Sequence, residues 1–375
     1  MTLRERILAV YRGEAPDVVP YMLDLSHWFY HKNRLPWDLS KTYEEPERDL
    51  IDYHKEHGVG FYMPNLASFY SAIHPGDVAV ETEMGESDGH PEIAWRVTTP
   101  LGEIERKRKW QDQTYAWGIS KWGITGPDEL RVLAYSMANR VFRPKWENYR
   151  AWADCVGDYG TVYLSLGYSA MGYLLNCWMG VEAVAFAIVD YPEVLREAVD
   201  SINANILRLA DLLAESPAEV ILMGDNFSGD VQSPRFFEEW SREFYVAAIR
   251  KLHAAGKHVA VHIDGRLRGA ISMIREAGAD CGDAITPTPM GDLTPAQCRD
   301  EAGDRFILSG GVSPELWLPN APLATFEEKV IEWLELKKMS PGLIANAGDQ
   351  VPPGAEEERI DVMRDLVEEH GRRGT

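Results

Sequence analysis

His262 and Asp264 are separated by one residue at the polar end of an apolar run that covers residues 259–265. A short β-branched run of this kind is typical of a buried parallel strand. Residues two apart in a strand share a face, so both side chains can reach one centre. In a closed α/β barrel, the carboxyl ends of the strands carry the chemistry. The spacing therefore predicts a catalytic or metal-binding pair.

Other predicted strands of the chain also end in polar residues or in glycine. We predict acid–base roles for Asp225, His262 and Asp24, and metal ligation by His262, Asp264 and Asp349. Seven further residues at the predicted rim would contact substrate: His27, Asn65, Tyr168, Asn226, Gly310, Gly311 and Asn346. Thr286 also lies at this rim, and no role is predicted for it.

Each of these residues also has a purely structural interpretation. Asp24 can cap the following turn, and Asp225 lies in a Gly-rich segment that favours Asp and Asn for turn formation. His262 can be a core histidine bonded to a backbone carbonyl. Gly310 and Gly311 allow either close approach of a ligand or a tight turn.

Three chemistries suit one histidine surrounded by several carboxylates. One imidazole and two carboxylates could hold Zn²⁺ with an open coordination position. Metal-free acid–base catalysis could use Asp225 or Asp264 with a pKa raised by burial. The third alternative is simple ligand anchoring. The sequence contains no Gly-x-Ser-x-Gly, His-Glu-x-x-His or Walker motif that would support another chemistry.

The order of predicted elements favours a (β/α)8 TIM barrel in the α/β class. Six strand candidates cover residues 162–167, 219–225, 258–264, 281–287, 306–311 and 342–348, and two earlier ones near 18–24 and 59–65 make eight. An open doubly wound sheet is the alternative, but no Gly-x-Gly-x-x-Gly follows the early strands. Residues 1–375 are predicted to form one barrel domain. An insertion at about 80–150 would contain a β-hairpin over residues 93–106.

Composition limits the classes of partner. The 375 residues carry a formal charge of −21, which disfavours nucleic acid. Four scattered cysteines, a charged helix start at the amino terminus and the lack of a long apolar run predict a cytoplasmic protein without disulfides or a membrane span. A small molecule is therefore the expected partner, and a homodimer is compatible with these features.

Seven segments together resemble the uroporphyrinogen decarboxylase superfamily over nearly the whole chain. The opening at 4–9 and 13–20, the hairpin residues Thr99-Pro100-Leu101-Gly102 and the run 178–182 resemble that family in order and spacing. So do 224–234, 253–257 with His262, 309–312 and 351–353. The resemblance implies a (β/α)8 barrel and one of two activities. These are decarboxylation of uroporphyrinogen and methyl transfer that involves a corrinoid protein.

Departures from the family pattern distinguish these two activities. The decarboxylases carry arginines after the first strand for the substrate carboxylates, whereas residues 21–28 here contain no Arg and include Asp24. The thiol-specific methyltransferases show His-x-Cys and a later Gly-Cys as zinc ligands, where this chain has Asp264 and Asp349. Hard oxygen ligands suit an oxygen leaving group better than a thiol.

The resemblance therefore implies a methyltransferase that takes a methyl group from a small O-methylated substrate, aromatic donors included, and passes it to a corrinoid carrier. Zn²⁺ would be held by His262, Asp264 and Asp349, with Asp225 orienting substrate or acting as acid–base. The alternatives are a metal-free lyase or decarboxylase that uses Asp24, Asp225 and His262, and a ligand-binding relative without catalysis.

Overall fold

The computed structural model describes residues 1–35, 44–63 and 69–373. Up to the start of the main sheet, its helices are α1 (Leu3–Tyr11), α2 (Ser26–Lys32), α3 (Glu44–His57), α4 (Pro127–Ala138) and α5 (Trp146–Val156). The strands of the same half are β1 (Tyr70–Ile73), β2 (Ala79–Ser87), β3 (His90–Thr99), β4 (Gly102–Gln111), β5 (Ala116–Lys121) and β6 (Val141–Pro144).

The second half alternates strands with helices. Its strands are β7 (Leu164–Gly167), β8 (Val220–Phe227), β9 (His258–Ile263), β10 (Cys281–Ile285), β11 (Ile307–Gly311) and β12 (Leu343–Asn346). Its helices are α6 (Ala170–Tyr173), α7 (Gly180–Asp190), α8 (Pro192–Ala214), α9 (Pro234–Trp240), α10 (Arg242–Ala254), α11 (Ala270–Ala277), α12 (Pro295–Ala302), α13 (Leu323–Glu335) and α14 (Glu358–His370), with a π-helix at Leu174–Trp178. Several helices begin where the sequence supplies a cap: Thr2 and Thr294 form capping boxes, and Ser233 accepts a bond from Phe236 N.

The strands β7 to β12 form a parallel sheet in chain order. Isolated parallel bridges connect its two edges through the two early strand candidates: Tyr21 bridges Ala345, Met22 bridges Gly60, and Phe61 bridges Gly160. These bridges complete a ring of eight parallel segments. The (β/α)8 TIM barrel is therefore confirmed, although the first two segments are short bridges and not extended strands.

Two separate apolar clusters pack the two faces of this ring. The smaller one contains alternate strand residues such as Met22, Ala260 and Cys281, together with Ile7 and Tyr11 of α1. It fills the barrel interior, and α1 packs against its amino-terminal end. The larger cluster contains the intervening strand residues and the apolar faces of the surrounding helices. The parity of a residue in its strand therefore decides whether its side chain faces the interior or the helices.

The segment between β1 and β6 contains the predicted hairpin. Strands β3 and β4 pair antiparallel through Thr99 and Gly102, and β2 and β5 complete a four-stranded antiparallel sheet. Ile93, Val97 and Ile104 are buried on one face of this insertion sheet. The extent of the insertion and the single-domain organisation stay predictions. Among the described residues, no helix is both long and apolar enough to cross a membrane.

We expect Gly60→Ala to weaken closure of the barrel. A methyl group at Gly60 would lie 2.6 Å from the Tyr21 carbonyl oxygen and 2.9 Å from Met22 Cβ, at the bridge that joins the first two barrel segments. The free energy of unfolding should fall by about 2–3 kcal/mol in urea denaturation. Gly76→Ala is the control, because nothing lies within 4 Å of its added methyl group. Equal effects of the two substitutions would contradict the closure.

Candidate functional site

A polar layer lies directly above the apolar interior of the barrel, at the carboxyl ends of the strands. Each of its members follows an interior residue of the smaller core cluster by two positions, so it faces the same way. The pairs are Met22 and Asp24, Ala260 and His262, Cys281 and Asp283, Ile307 and Ser309, and Ile344 and Asn346. Local strand geometry thus places an imidazole, two carboxylates, a hydroxyl and an amide at one level of the barrel mouth.

His262 and Asp283 are direct partners across neighbouring strands β9 and β10. The Nδ1 atom of His262 lies 3.3 Å from Oδ2 of Asp283, whose side chain is only 1% exposed. Ser309 Oγ donates to the other oxygen, Oδ1, at 3.3 Å, and Asn346 Nδ2 donates to Ser309 Oγ at 3.3 Å. The Asp283 carboxylate therefore fixes the imidazole in place, because its other oxygen is held by this buried polar network.

The other nitrogen of His262 faces a second carboxylate. Its Nε2 atom lies 4.0 Å from Oδ1 of Asp349, a side chain that is 39% exposed and follows the last barrel strand. Gly348, with φ +76°, turns the chain just before this residue, and its carbonyl accepts a bond from Thr286 Oγ1 at 2.8 Å. The imidazole is therefore held between a buried carboxylate and one that reaches solvent.

The charges around His262 alter its protonation. Burial opposes the protonated form, but the contact with Asp283 and the charges of Asp349 and Asp264 outweigh it and raise the pKa of His262 to about 9. Burial together with the charge of Asp264 raises the pKa of Asp349 to about 6, although the His262 charge works against this rise. The imidazole is consequently a cation at neutral pH, with an ionisable carboxyl beside it.

Asp24 and His27 lie at the start of the ring. Asp24 is buried and accepts bonds from Ser26 N and Oγ and from Gln350 Nε2, the last at 3.0 Å. The bond from Gln350 links the end of the first barrel segment to the residue that follows Asp349. The Nε2 atom of His27 lies 2.9 Å from the Tyr115 carbonyl oxygen in the insertion. His27 thus connects α2 to the turn between β4 and β5.

Asp225 does not join this layer, and its predicted acid–base role stays a prediction. It alternates along β8 with the same spacing as Ile221 and Met223, so its side chain faces the helices and not the barrel interior. The carboxylate is fully buried and accepts bonds from Ser169 N, Ser169 Oγ and Tyr245 OH at 2.5–2.7 Å. Burial raises the pKa of Asp225 while these three bonds oppose that rise. Its place in the fold is to bind the start of α6.

Gly310 and Gly311 were predicted to contact substrate, but both are buried against other parts of the protein. A methyl group at Gly310 would lie 2.1 Å from the Ile285 carbonyl oxygen, and one at Gly311 (φ +125°) would lie 2.3 Å from Trp333 Cγ. The absence of a side chain is therefore required by strand pairing and by helix packing.

The remaining predicted residues lie in different places. Asn346 belongs to the buried network, where it also donates to Tyr62 OH at 3.3 Å. Tyr168 is half-buried, with its ring 5.4 Å from that of Tyr173, and Asn226 is exposed at the end of β8 with φ +46°. Asp264 is exposed after β9. Asn65 lies outside the described residues.

The sequence interpretation missed Asp283, Ser309 and Gln350. The signal for Asp283 and Ser309 was present, because each stands two positions after an apolar residue that faces the interior. Gln350 has no such signal, since it follows the last strand in an irregular segment and contacts Asp24 only in the folded chain.

The predicted Zn²⁺ ligands do not fit a metal ion as they are arranged. Within residues 1–35, 44–63 and 69–373, no group of three His, Cys, Asp or Glu side chains could hold one. The Nδ1 atom of His262 is engaged by Asp283, which leaves Nε2 for Asp349. The Zn²⁺ site therefore stays a prediction.

Comparison with known proteins gives a family model and several similar solved structures. The family model of uroporphyrinogen decarboxylase (URO-D) matches residues 168–370. A methyltransferase from Methanosarcina mazei aligns with a TM-score of 0.64 and 16% identity, covering 98% of this chain and 99% of that chain. At this identity the likeness shows the fold, and it agrees with the barrel described above.

Other solved structures align with lower TM-scores and cover less of this chain. A catalytic module of the pneumococcal exo-β-D-N-acetylglucosaminidase StrH gives a TM-score of 0.33 at 10% identity, covering 60% of this chain and 64% of that chain. Muconate lactonizing enzyme from Pseudomonas putida gives 0.30 at 8% identity, covering 79% and 77%. The search of curated proteins found no match.

His262 should make stability depend on pH between about 6.5 and 9. Its pKa rises from 6.5 to about 9 in the folded state, so its contribution is complete below pH 6.5 and is lost as the pH rises through 9. The full shift corresponds to roughly 3 kcal/mol. Urea unfolding at several pH values should show this loss in the wild type and a flatter profile in His262→Gln. Identical profiles would contradict the raised pKa.

Replacement of Asp225 should affect stability. Asp225→Ala leaves the buried Ser169 and Tyr245 donors without their acceptor, so the free energy of unfolding should fall by about 2–4 kcal/mol. Asp230→Ala is the matched control, because that carboxylate is exposed and pairs with the exposed Arg266 at 3.3 Å. Urea denaturation measures both variants, and an Asp225→Ala protein as stable as the control would contradict the assigned position.

Proposed function

This chain belongs to the uroporphyrinogen decarboxylase family, and we propose that it is a methyltransferase that moves a methyl group from a small O-methylated substrate to a corrinoid carrier. The observation that carries this proposal is the imidazole of His262, held between the carboxylates of Asp283 and Asp349 at the barrel mouth. The oxygen that loses the methyl group needs a proton, and the imidazolium of His262 donates it in this proposal.

The proposed reaction balances with one proton from the protein. The corrinoid of the carrier, which is a second substrate, supplies the nucleophile that accepts the methyl group. The O–CH₃ bond breaks, its electron pair stays on the oxygen, and the proton on Nε2 of His262 passes to that oxygen. The products are the free hydroxyl compound, the methylated carrier and a neutral imidazole.

Asp283 and Asp349 have different parts in this proposal. Asp283 is buried and accepts from Nδ1, so it orients the ring and stabilises the imidazolium before the reaction. Asp349 lies beside Nε2, is partly exposed and has a pKa near 6, so it can return a proton from solvent to the imidazole. Asp24 orients Gln350 next to Asp349.

The charge of the mouth disfavours the decarboxylase alternative. Four carboxylates lie around the imidazolium of His262, and each repels a substrate that carries many carboxylates. They belong to Asp24, Asp264, Asp283 and Asp349. An uncompensated contact between like charges near a protein surface costs on the order of a kcal/mol or more. A substrate with eight carboxylates would therefore enter this mouth at a considerable disadvantage.

Zn²⁺ at His262, Asp264 and Asp349 is a separate prediction, which metal analysis of the purified protein tests. A stoichiometric metal that is lost in His262→Gln would support it and would contradict the proton-donor role, because Nε2 cannot hold a metal ion and a proton together. An empty protein whose activity is insensitive to EDTA would leave the proton-donor mechanism as it stands.

We expect His262→Gln to lower methyl transfer by about 10²–10⁴-fold, because the leaving oxygen then lacks its proton donor. The assay mixes the purified protein with free cob(I)alamin and a panel of methoxylated aromatic compounds, and follows methylcobalamin by its absorbance. Asp349→Asn should reduce the rate less and should flatten the pH profile near pH 6.

His90→Gln is the matched control, since His90 lies in the insertion, its side chain is 42% exposed and it pairs with Asp112 at 3.4 Å. Its rate should equal that of the wild type. Release of CO₂ from uroporphyrinogen in place of methyl transfer would contradict the proposal and favour the decarboxylase.

A further inference from the structure

Two arginines of the insertion sheet face the barrel. Arg106 and Arg108 alternate with the buried Ile104 along β4, so all three side chains share one face of the sheet. Their direct partners on β3 are Trp95 and Ile93, and Ile93 is fully buried. The arginines therefore lie on the covered face of the sheet and not on its solvent face.

Arg106 connects the insertion to the barrel. Its guanidinium carbon lies 4.4 Å from the centre of the Trp95 ring and 4.9 Å from that of Trp178, and Nη1 donates to the Cys177 carbonyl at 3.4 Å. The tryptophan rings stabilise the cation but supply no negative charge. Burial lowers the pKa of Arg106, as expected for a cation that forms no ion pair with a carboxylate among the described residues.

The cations of the opposite sheet face are all compensated. Arg96, Lys107, Lys109 and Lys121 each lie within 3.2 Å of a carboxylate oxygen. On the covered face, the Nε atoms of Arg106 and Arg108 are both buried without a hydrogen-bond partner among the described residues. Neither arginine forms an ion pair in that part of the chain. In a protein with 59 acidic and 38 basic residues, two such arginines require an explanation.

Arg108 follows Arg106 on the covered face of β4, toward the turn that contacts α2. Its charge acts on the Tyr168 hydroxyl, directly after β7, and on the buried Cys177 thiol, where it opposes the rise in pKa caused by burial. Further along the sheet, the turn after β4 contacts α2 through the bond between His27 and the Tyr115 carbonyl. Along the chain, Arg108 stands between Arg106, which contacts the Cys177 carbonyl, and the turn at Tyr115, which contacts His27.

We infer that Arg108, supported by Arg106, binds a carboxylate of the substrate. This inference rests on the proposed function and specifies its methyl donor as an O-methylated carboxylic acid. A guanidinium group matches the planar fork of a carboxylate, and the Nε–H groups of Arg106 and Arg108 have no hydrogen-bond partner among the described residues. A monoanion suits the site better than a phosphate dianion, because the carboxylates of the mouth repel the second charge more strongly.

Isothermal titration calorimetry with the whole protein tests this inference without any turnover. Benzoate and 4-methoxybenzoate are the probes, and anisole is their neutral counterpart. Arg108→Gln should weaken binding of both carboxylates at least tenfold, Arg108→Lys should retain part of the affinity, and binding of anisole should be unchanged. Lys109→Gln is the matched control, since Lys109 is the next cation on the strand, faces the opposite way and pairs with Asp88 at 2.8 Å.

The outcomes separate this inference from the proposed methyl transfer. Equal benzoate affinity in the wild type and Arg108→Gln, or no binding to the wild type, would overturn the carboxylate site even if methyl transfer occurs. Arg108-dependent binding of inorganic phosphate that is tighter than that of benzoate would overturn the carboxylate assignment. Arg108-dependent benzoate binding supports the site even if no methoxylated donor reacts. Urea denaturation of each variant verifies that it is folded.

Discussion

The contact between His262 and Asp283 is the interaction on which the site depends. It joins two neighbouring strands one layer above the apolar interior, where a lone imidazolium or a lone carboxylate would be costly to bury. Asp283 stabilises the charged form of His262, and Ser309 donates to the remaining oxygen of Asp283. The proton on His262 is therefore a consequence of how two strands are paired.

This pairing depends in turn on the closed ring. Parallel strands place their carboxyl ends at one rim, and alternation directs every second side chain inward. Asp283 occupies a strand position whose side chain faces the barrel interior. Asp225 occupies a position of the other kind, so its carboxylate faces the helices and binds the start of α6. Two acidic residues near strand ends thus have unrelated roles because of a single positional difference.

The same rule explains what the sequence could predict. The barrel follows from the order of eight apolar runs, and His262 was found because its run ends abruptly in polar residues. Asp225, Gly310 and Gly311 were assigned by their proximity to strand ends, without regard to parity, and the structure turns them toward protein neighbours. The contact of Gln350 with Asp24 joins opposite ends of the chain, and no local pattern encodes a contact of that kind.

The insertion adds positive charge near the barrel mouth, from a sheet that is not part of the barrel. The strands supply carboxylates and a single imidazolium, which suit proton transfer but offer little to hold an anionic substrate. Arg106 and Arg108 come from a different sheet, where alternation again separates compensated cations on one face from uncompensated ones on the other. Chemistry and anion recognition therefore reside on separate elements, so the insertion can change its ligand contacts without disturbing the pairing of His262 with Asp283.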